Sequence, residues 1–117
     1  MATPNIINAT TINGLTAVAA VTTTLTSIVT NASSSGKAQR INSLIVSNVN
    51  GTTAATVTIA ILRSATVYRL AYQMSVPAAS SLDLINKTIY LNEGDALQIS
   101  ASVNSYLEAV VSYEEIS

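Results

Sequence analysis

Apolar and polar residues alternate with a period of two along much of the chain. In TVTIAIL (residues 56–62), Val57, Ile59 and Ile61 share one face, while threonine and alanine take the other. This alternation is typical of a half-buried β-strand. TVYRLAYQMSV (66–76) alternates too, and the pattern places a second apolar set on one face: Tyr68, Leu70, Tyr72 and Met74.

Other runs are apolar without simple alternation. RINSLIVSNV (40–49) carries Leu44 and Val46 on one face and Ile41 and Ile45 on the other, which predicts a central strand covered on both sides. LTAVAAVTTTLTSIVTN (15–31) begins with helix-compatible alanines. Its later Thr and Val residues favour one or two strands, because a branched Cβ loses rotamer freedom in a helix.

Turn-forming residues separate these runs. Asn50–Gly51 suits a tight hairpin, residues 63–65 form a second turn, and Pro77 interrupts the ladder because it has no N–H. No alternation of strands with helices appears. The sequence therefore predicts an all-β fold, a single antiparallel β-sandwich or jelly-roll-like domain of about eight strands.

The same faces predict the core. We expect the following apolar side chains to be buried: Ile45, Val57, Ile59, Ile61, Leu70, Leu84, Leu91, Leu97, Ile99, Val103, Leu107, Ala109 and Val111.

The first fourteen residues are polar and lack an apolar pattern of their own. They predict an extended N-terminal arm, residues 1–14, that ends in a turn at Asn13–Gly14. Residues 15–117 then form the β-sandwich domain. An exposed arm of this kind can add a strand to the sheet edge of a neighbour. Asn5, Ile6 and Ile7 are its candidate contact residues.

Composition narrows the chemistry. Hydrophobic residues make up 49% of the chain and charged residues 9%, with a net charge of -1. The basic residues are scattered, so direct binding of nucleic acid is not expected. Histidine and cysteine are absent, which removes the commonest general base and the thiol nucleophile. A Ser–Lys pair with Lys37 or Lys87 is disfavoured, since both lysines lie in polar turns. We expect no enzyme activity and no cofactor.

No run reaches the roughly 20 apolar residues of a membrane helix, and the N-terminus does not resemble a secretory signal. We therefore expect a protein that is made in the host cytoplasm and has no membrane partner.

Two acidic stretches are candidate sites. YLNEGDALQIS (90–100) places Glu93 and Asp95 on either side of Gly94. Asn92, Glu93 and Asp95 offer oxygen ligands for calcium, but the spacing of an EF-hand is missing. A glycine between two acids favours a turn with positive φ, so we interpret this stretch as a solvated hairpin corner anchored by Leu91 and Leu97.

The second acidic stretch is the C-terminal SYEEIS. Glu114 and Glu115 are adjacent, so a strand places them on opposite faces. Two interpretations stay open here: a solvated strand end, or a strand that contacts a neighbouring subunit through Tyr113, Glu114 and Glu115.

The chain resembles small virion proteins of tailed bacteriophages. The stretches that carry the resemblance are KAQRINSLIVSNVNGTTAATVTIAI, VPAASSLDLINKTIYLNEGDALQISAS and LEAVVSYEEIS, between Lys37 and Ser117. The resemblance implies a structural role, with no catalytic residue to transfer. It implies a capsid decoration or cement protein on the capsid surface, which binds the major capsid protein or other virion proteins. It also implies a homo-oligomer, with a trimer as the first guess.

Two alternatives remain. One is a neck, tail or baseplate structural protein with the same fold. The other is a carbohydrate-binding β-sandwich on a virion appendage. The number of copies per particle and their location distinguish these hypotheses.

Overall fold

The computed structural model describes residues 6–85 and 87–117, with side chains from Ile7 onward. Within these ranges no helix is long and apolar enough to span a membrane. They contain a short 3-10 helix, Ile6–Asn8, and nine strands. The strands are β1 (Ile12–Ala20), β2 (Thr26–Thr30), β3 (Ala38–Asn48), β4 (Ala55–Arg63), β5 (Thr66–Val76), β6 (Ser81–Ile85), β7 (Ile89–Leu91), β8 (Ala96–Ala101) and β9 (Leu107–Ile116).

The strands form two antiparallel sheets. The first has the order β1-β9-β3-β6, with β7 also paired to β3, and the second has the order β2-β8-β4-β5. β6 pairs with the C-terminal half of β3 and β7 with its N-terminal half. Together β6 and β7 occupy one strand position. The two sheets then have the strand order of an eight-stranded jelly roll, which confirms the predicted fold class.

The core lies between the two sheets. Eight of the predicted core residues are buried: Val57, Ile59, Leu91, Leu97, Ile99, Leu107, Ala109 and Val111. Ile61, Leu84 and Val103 are partly buried against them. The prediction was wrong for Ile45 and Leu70, which are 40% and 42% exposed.

A register shift in β3 explains the error at Ile45. The pairing of β3 with β9 shifts between Ile41 and Ser43, and this β-bulge reverses the alternation. Ile41, Leu44 and Val46 therefore all face the core, while Ile45 faces outward. β3 is central within its sheet, but within the described residues its outer face is not covered.

β5 departs from alternation for the same reason. Its register with β4 shifts between Val57 and Ile59 and again between Ile59 and Ala60. Gln73 has a φ of 51° in this region. β5 is an edge strand, so its side chains are exposed at most positions, and the apolar face predicted from the sequence is not buried.

The predicted turn at Asn13–Gly14 is wrong. Both residues lie within β1, where Asn13 is opposite Glu115 and Gly14 is opposite Glu114. Just before β1, the backbone N–H groups of Thr10 and Thr11 donate to the carbonyl of Ser117, at 2.7 and 2.9 Å. Asn5 lies outside the described residues, and the division into arm and domain stays a prediction.

Asn50–Gly51 does not form the predicted hairpin, because β3 and β4 belong to different sheets. The side-chain oxygen of Asn50 accepts from the backbone N–H groups of Thr52 and Thr53, each at 2.9 Å. This local side-chain turn guides the chain from one sheet to the other.

Candidate functional site

The stretch between β7 and β8 is a turn between sheets. β7 pairs with β3 in the first sheet and β8 lies in the second, so the two strands do not form the hairpin predicted for this corner. Gly94 has a φ of 87°, as expected for glycine in a turn. Leu91 and Leu97, on either side, are 0% and 1% exposed, which confirms their predicted role as anchors.

Asp95 is buried, which corrects the prediction of a solvated carboxylate. It is 2% exposed. Its two oxygens accept from Arg63 Nε at 3.0 Å and from Arg63 Nη2 at 2.5 Å, a bidentate pair. Oδ2 also accepts from the N–H of Asn92 at 2.8 Å.

These contacts determine the pKa of Asp95. Burial raises the pKa, but the hydrogen bonds from Arg63 and Asn92, together with the charge of Arg63, outweigh it and lower the pKa below its usual value. Asp95 therefore remains ionised at neutral pH and ties the end of β4 to the turn before β8.

Glu93 fastens the same turn to the loop between β2 and β3. Its Oε2 accepts from the N–H of Gly36 at 2.6 Å. Asn31, which is 1% exposed, completes the link: its Nδ2 donates to the carbonyls of Lys37 and Leu91 at 2.9 and 3.0 Å. We call Asn31, Arg63, Glu93 and Asp95 the corner cluster.

The corner cluster borders a shallow cleft of about 340 Å³, lined by Ser33, Arg63, Ser64, Asn92, Glu93, Gly94 and Asp95. A calcium ion here would need carboxylate oxygens that face the ion. The oxygens of Asp95 instead face a guanidinium group. Among the described residues, no three acidic side chains come together in a group suited to a metal. The arrangement is suited to holding loops together.

The C-terminal residues are tied into the first sheet. β9 lies between β1 and β3, so both of its edges are paired within the chain. Glu114 and Glu115 do not form a simple solvated end. Glu114 pairs with Arg40 at 2.5 Å, and Glu115 pairs with Lys37 at 3.4 Å.

Tyr113 lies beside these ion pairs and is half-buried. The pKa of Tyr113 lies above its usual value. Burial raises it most, the charge of Glu115 raises it further, and the charge of Lys37 offsets part of this increase. Ile7, in the N-terminal candidate set, is 87% exposed. Of Ile6, only the backbone is described. Contact of either set with a partner stays a prediction.

Sequence reasoning missed an apolar row on the outer face of the first sheet. Val18 lies opposite Val110, Val110 opposite Ile45, and Ile45 opposite Asp83. The apolar members are 73% (Val18), 40% (Val110) and 40% (Ile45) exposed. Alternation alone does not distinguish an inner face from an outer one. The bulge in β3 turns Ile45 outward, and the strand order β1-β9-β3 places it beside Val110 and Val18.

Comparisons with known proteins gave structural likenesses but no family. No known protein family matches the chain, and no curated protein does. A solved structure described as a pentameric capsid protein isolated from metagenomic phage sequences aligns over 86% of this chain, with 18% identity and a TM-score of 0.44. The alignment covers 60% of that protein's chain. At this TM-score the likeness does not indicate a function.

Proposed function

We propose that this chain is a non-enzymatic structural protein of a phage virion, and more specifically a capsid decoration or cement protein. In this role it binds the major capsid protein or other virion proteins on the capsid surface, as a homo-oligomer. The observation that supports the proposal is that large apolar side chains are exposed on β5 and on the outer face of the first sheet. Exposed apolar patches of this kind mark protein interaction surfaces.

The fold and the composition support this role. Jelly rolls are common among viral capsid proteins, which is an argument from fold analogy. With 9% charged residues, the surface has little charge to repel a neighbouring protein. The sequence resemblance to virion proteins of tailed phages points in the same direction.

The same observations fit a neck, tail or baseplate protein, which also packs against other proteins. The carbohydrate-binding alternative has less support, because the described cleft at the corner cluster has no aromatic residue in its lining. Sugar sites commonly include an aromatic platform. The tyrosine nearest in sequence to the residues that line this cleft is Tyr90, which is not part of the lining.

The test is the location and copy number of the chain in purified particles, measured by quantitative mass spectrometry and particle imaging. Hundreds of copies on the head shell support the cement role. A few copies to a few dozen at the neck or tail favour the alternative. A chain that never co-purifies with particles contradicts both, and glycan binding lost on Tyr90→Ala or Glu93→Ala then favours the carbohydrate-binding alternative.

A further inference from the structure

Two exposed surfaces of the molecule carry opposite unpaired charges. The first, which we call the acidic face, is the outer face of the first sheet: Val18, Ile45, Asp83, Glu108 and Val110. The second, which we call the tyrosine strand, is the exposed part of β5: Tyr68, Arg69, Leu70, Tyr72 and Met74.

The acidic face carries small side chains beside its apolar row, such as Ala20 and Ser47. Glu108 lies two residues before Val110 on β9, on the same face, opposite Ala20 of β1 and Ser47 of β3. Glu108 and Asp83 are exposed, and neither makes an ion pair within the described part of the chain. Glu108 is the more central carboxylate, because β9 lies between two strands while β6 is at an edge.

The tyrosine strand carries larger apolar side chains. Tyr68, Leu70, Tyr72 and Met74 are 59%, 42%, 61% and 44% exposed. The pairing with β4 places Tyr68 opposite Ile61 and Met74 opposite Val57, on the core-facing side of the sheet. It places Arg69 opposite Ala60, on the other side, so β5 exposes side chains on both sides of this edge strand. Arg69 lies beside Tyr72, with its guanidinium carbon 5.3 Å from the centre of the Tyr72 ring.

Ion pairs within the chain neutralise most of the basic residues, and the charges that remain unpaired on these two surfaces are opposite in sign. Lys37, Arg40 and Arg63 are neutralised by carboxylates of the same chain. Of the chain's five basic residues, this leaves Arg69 and Lys87. Arg69 lies beside the exposed ring of Tyr72, and Glu108 lies on the same face as the apolar row of the first sheet.

We propose that the tyrosine strand of one copy packs on the acidic face of a second copy, with Arg69 paired to Glu108. This contact specifies how the homo-oligomer in the proposed function would form, and it rests on that part of the proposal. It uses two different surfaces, so it is heterologous, and it joins successive copies head to tail into a closed ring or a filament. A stable interface buries about 800 Å² on each partner. The exposed Tyr72 ring beside Arg69 supplies apolar area to this contact, and the exposed side chains around it on the second sheet supply the rest.

Charge reversal tests the contact. We expect the wild-type chain to self-associate in sedimentation velocity over a concentration series. Arg69→Glu and Glu108→Arg should each weaken association at least about tenfold, because each places like charges together in the interface. The double variant should restore association to within about threefold of wild type. Lys87→Glu, a charge reversal at an exposed residue that belongs to neither surface as defined above, is the matched control and should leave association unchanged.

Circular dichroism and thermal unfolding of each variant check that it is folded, as expected for exposed positions. Single reversals that leave association unchanged overturn the proposal. So does a double variant no better than the weaker single one, which would mean that β5 contacts another surface, such as β5 of a second copy. A wild-type chain that is monomeric at every concentration also overturns it. The copy-number measurement on particles then decides the virion role separately.

Discussion

At the scale of single residues, the acidic corner shows how a sequence motif can predict a turn and miss its chemistry. The glycine between Glu93 and Asp95 predicted the turn correctly. The burial of Asp95 depends on Arg63, which is 32 positions away in the sequence. No local pattern marks that pairing, because it follows from β4 and β8 being neighbours in the second sheet.

Asp95 makes the stability of the protein sensitive to acid. Its folded-state pKa lies below the usual value, so its contribution is present above about pH 4 and is lost as the pH falls towards the folded pKa. We expect Asp95→Asn to lower the free energy of unfolding by about 1–2 kcal/mol at pH 7, in the lower part of the range for charged hydrogen bonds because Arg63 is half-exposed.

Urea unfolding at pH 7 and pH 3 measures this difference, which should shrink at the lower pH. Asp83→Asn is the matched control, because Asp83 is exposed and forms no ion pair in the described chain. A difference of equal size at both pH values would contradict the role given to the Asp95 carboxylate.

Asn31 joins three backbone segments from a buried position. Asn31→Ala removes its donors to the carbonyls of Lys37 and Leu91 and its acceptor for the Ser35 hydroxyl. We expect a loss of about 2–4 kcal/mol in the free energy of unfolding, because one buried and one partly buried carbonyl lose this donor. Chemical denaturation measures it. Asn13→Ala, at an exposed position of β1, should change stability by less than about 0.5 kcal/mol, and an equal loss in both variants would refute the argument.

At the scale of elements, the β4–β5 connection is a two-residue hairpin made without glycine. Ser64 and Ala65 have φ values of 52° and 63°. This backbone suits the twist of the paired strands, but it costs about 1–2 kcal/mol for a residue with a Cβ.

Ala65→Gly should therefore stabilise the protein, by about 0.5–1 kcal/mol after the larger backbone entropy of glycine in the unfolded chain is subtracted. Thermal unfolding should show a higher midpoint. The control is Ala54→Gly in the loop before β4, where φ is not positive, and it should lower stability. A lower midpoint for Ala65→Gly would indicate that the hairpin is not strained.

Whether the buried face of a strand could be predicted from the sequence depends on whether its register is uninterrupted. β4 alternates without interruption in the sequence, and its predicted core residues Val57 and Ile59 are buried. β3 and β5 contain bulges, which change the face of every residue beyond them. Their apolar residues were recognised from the sequence, but the faces of Ile45 and Leu70 were not.

At the scale of the whole molecule, the fold class follows from the sequence and the interaction surfaces do not. Strand length, turn residues and the lack of helical periodicity are local properties, and they predicted the sandwich. Which faces remain uncovered depends on the order of strands in the two sheets. The exposed row across β1, β9 and β3 joins residues 18, 110 and 45, which only the jelly-roll order brings side by side.

The N-terminal segment provides the last prediction. Deleting residues 2–9 should leave a folded domain, because the cut precedes Thr10 and Thr11, whose N–H groups donate to Ser117. We expect the domain to remain folded in thermal unfolding but to show a much lower occupancy on particles that lack the protein, since an N-terminal arm can add a strand to a neighbour's sheet edge. A variant with residues 2–9 in scrambled order controls for length. If the deletion leaves occupancy unchanged, the segment is not a tether, and attachment must depend on the faces of the sandwich.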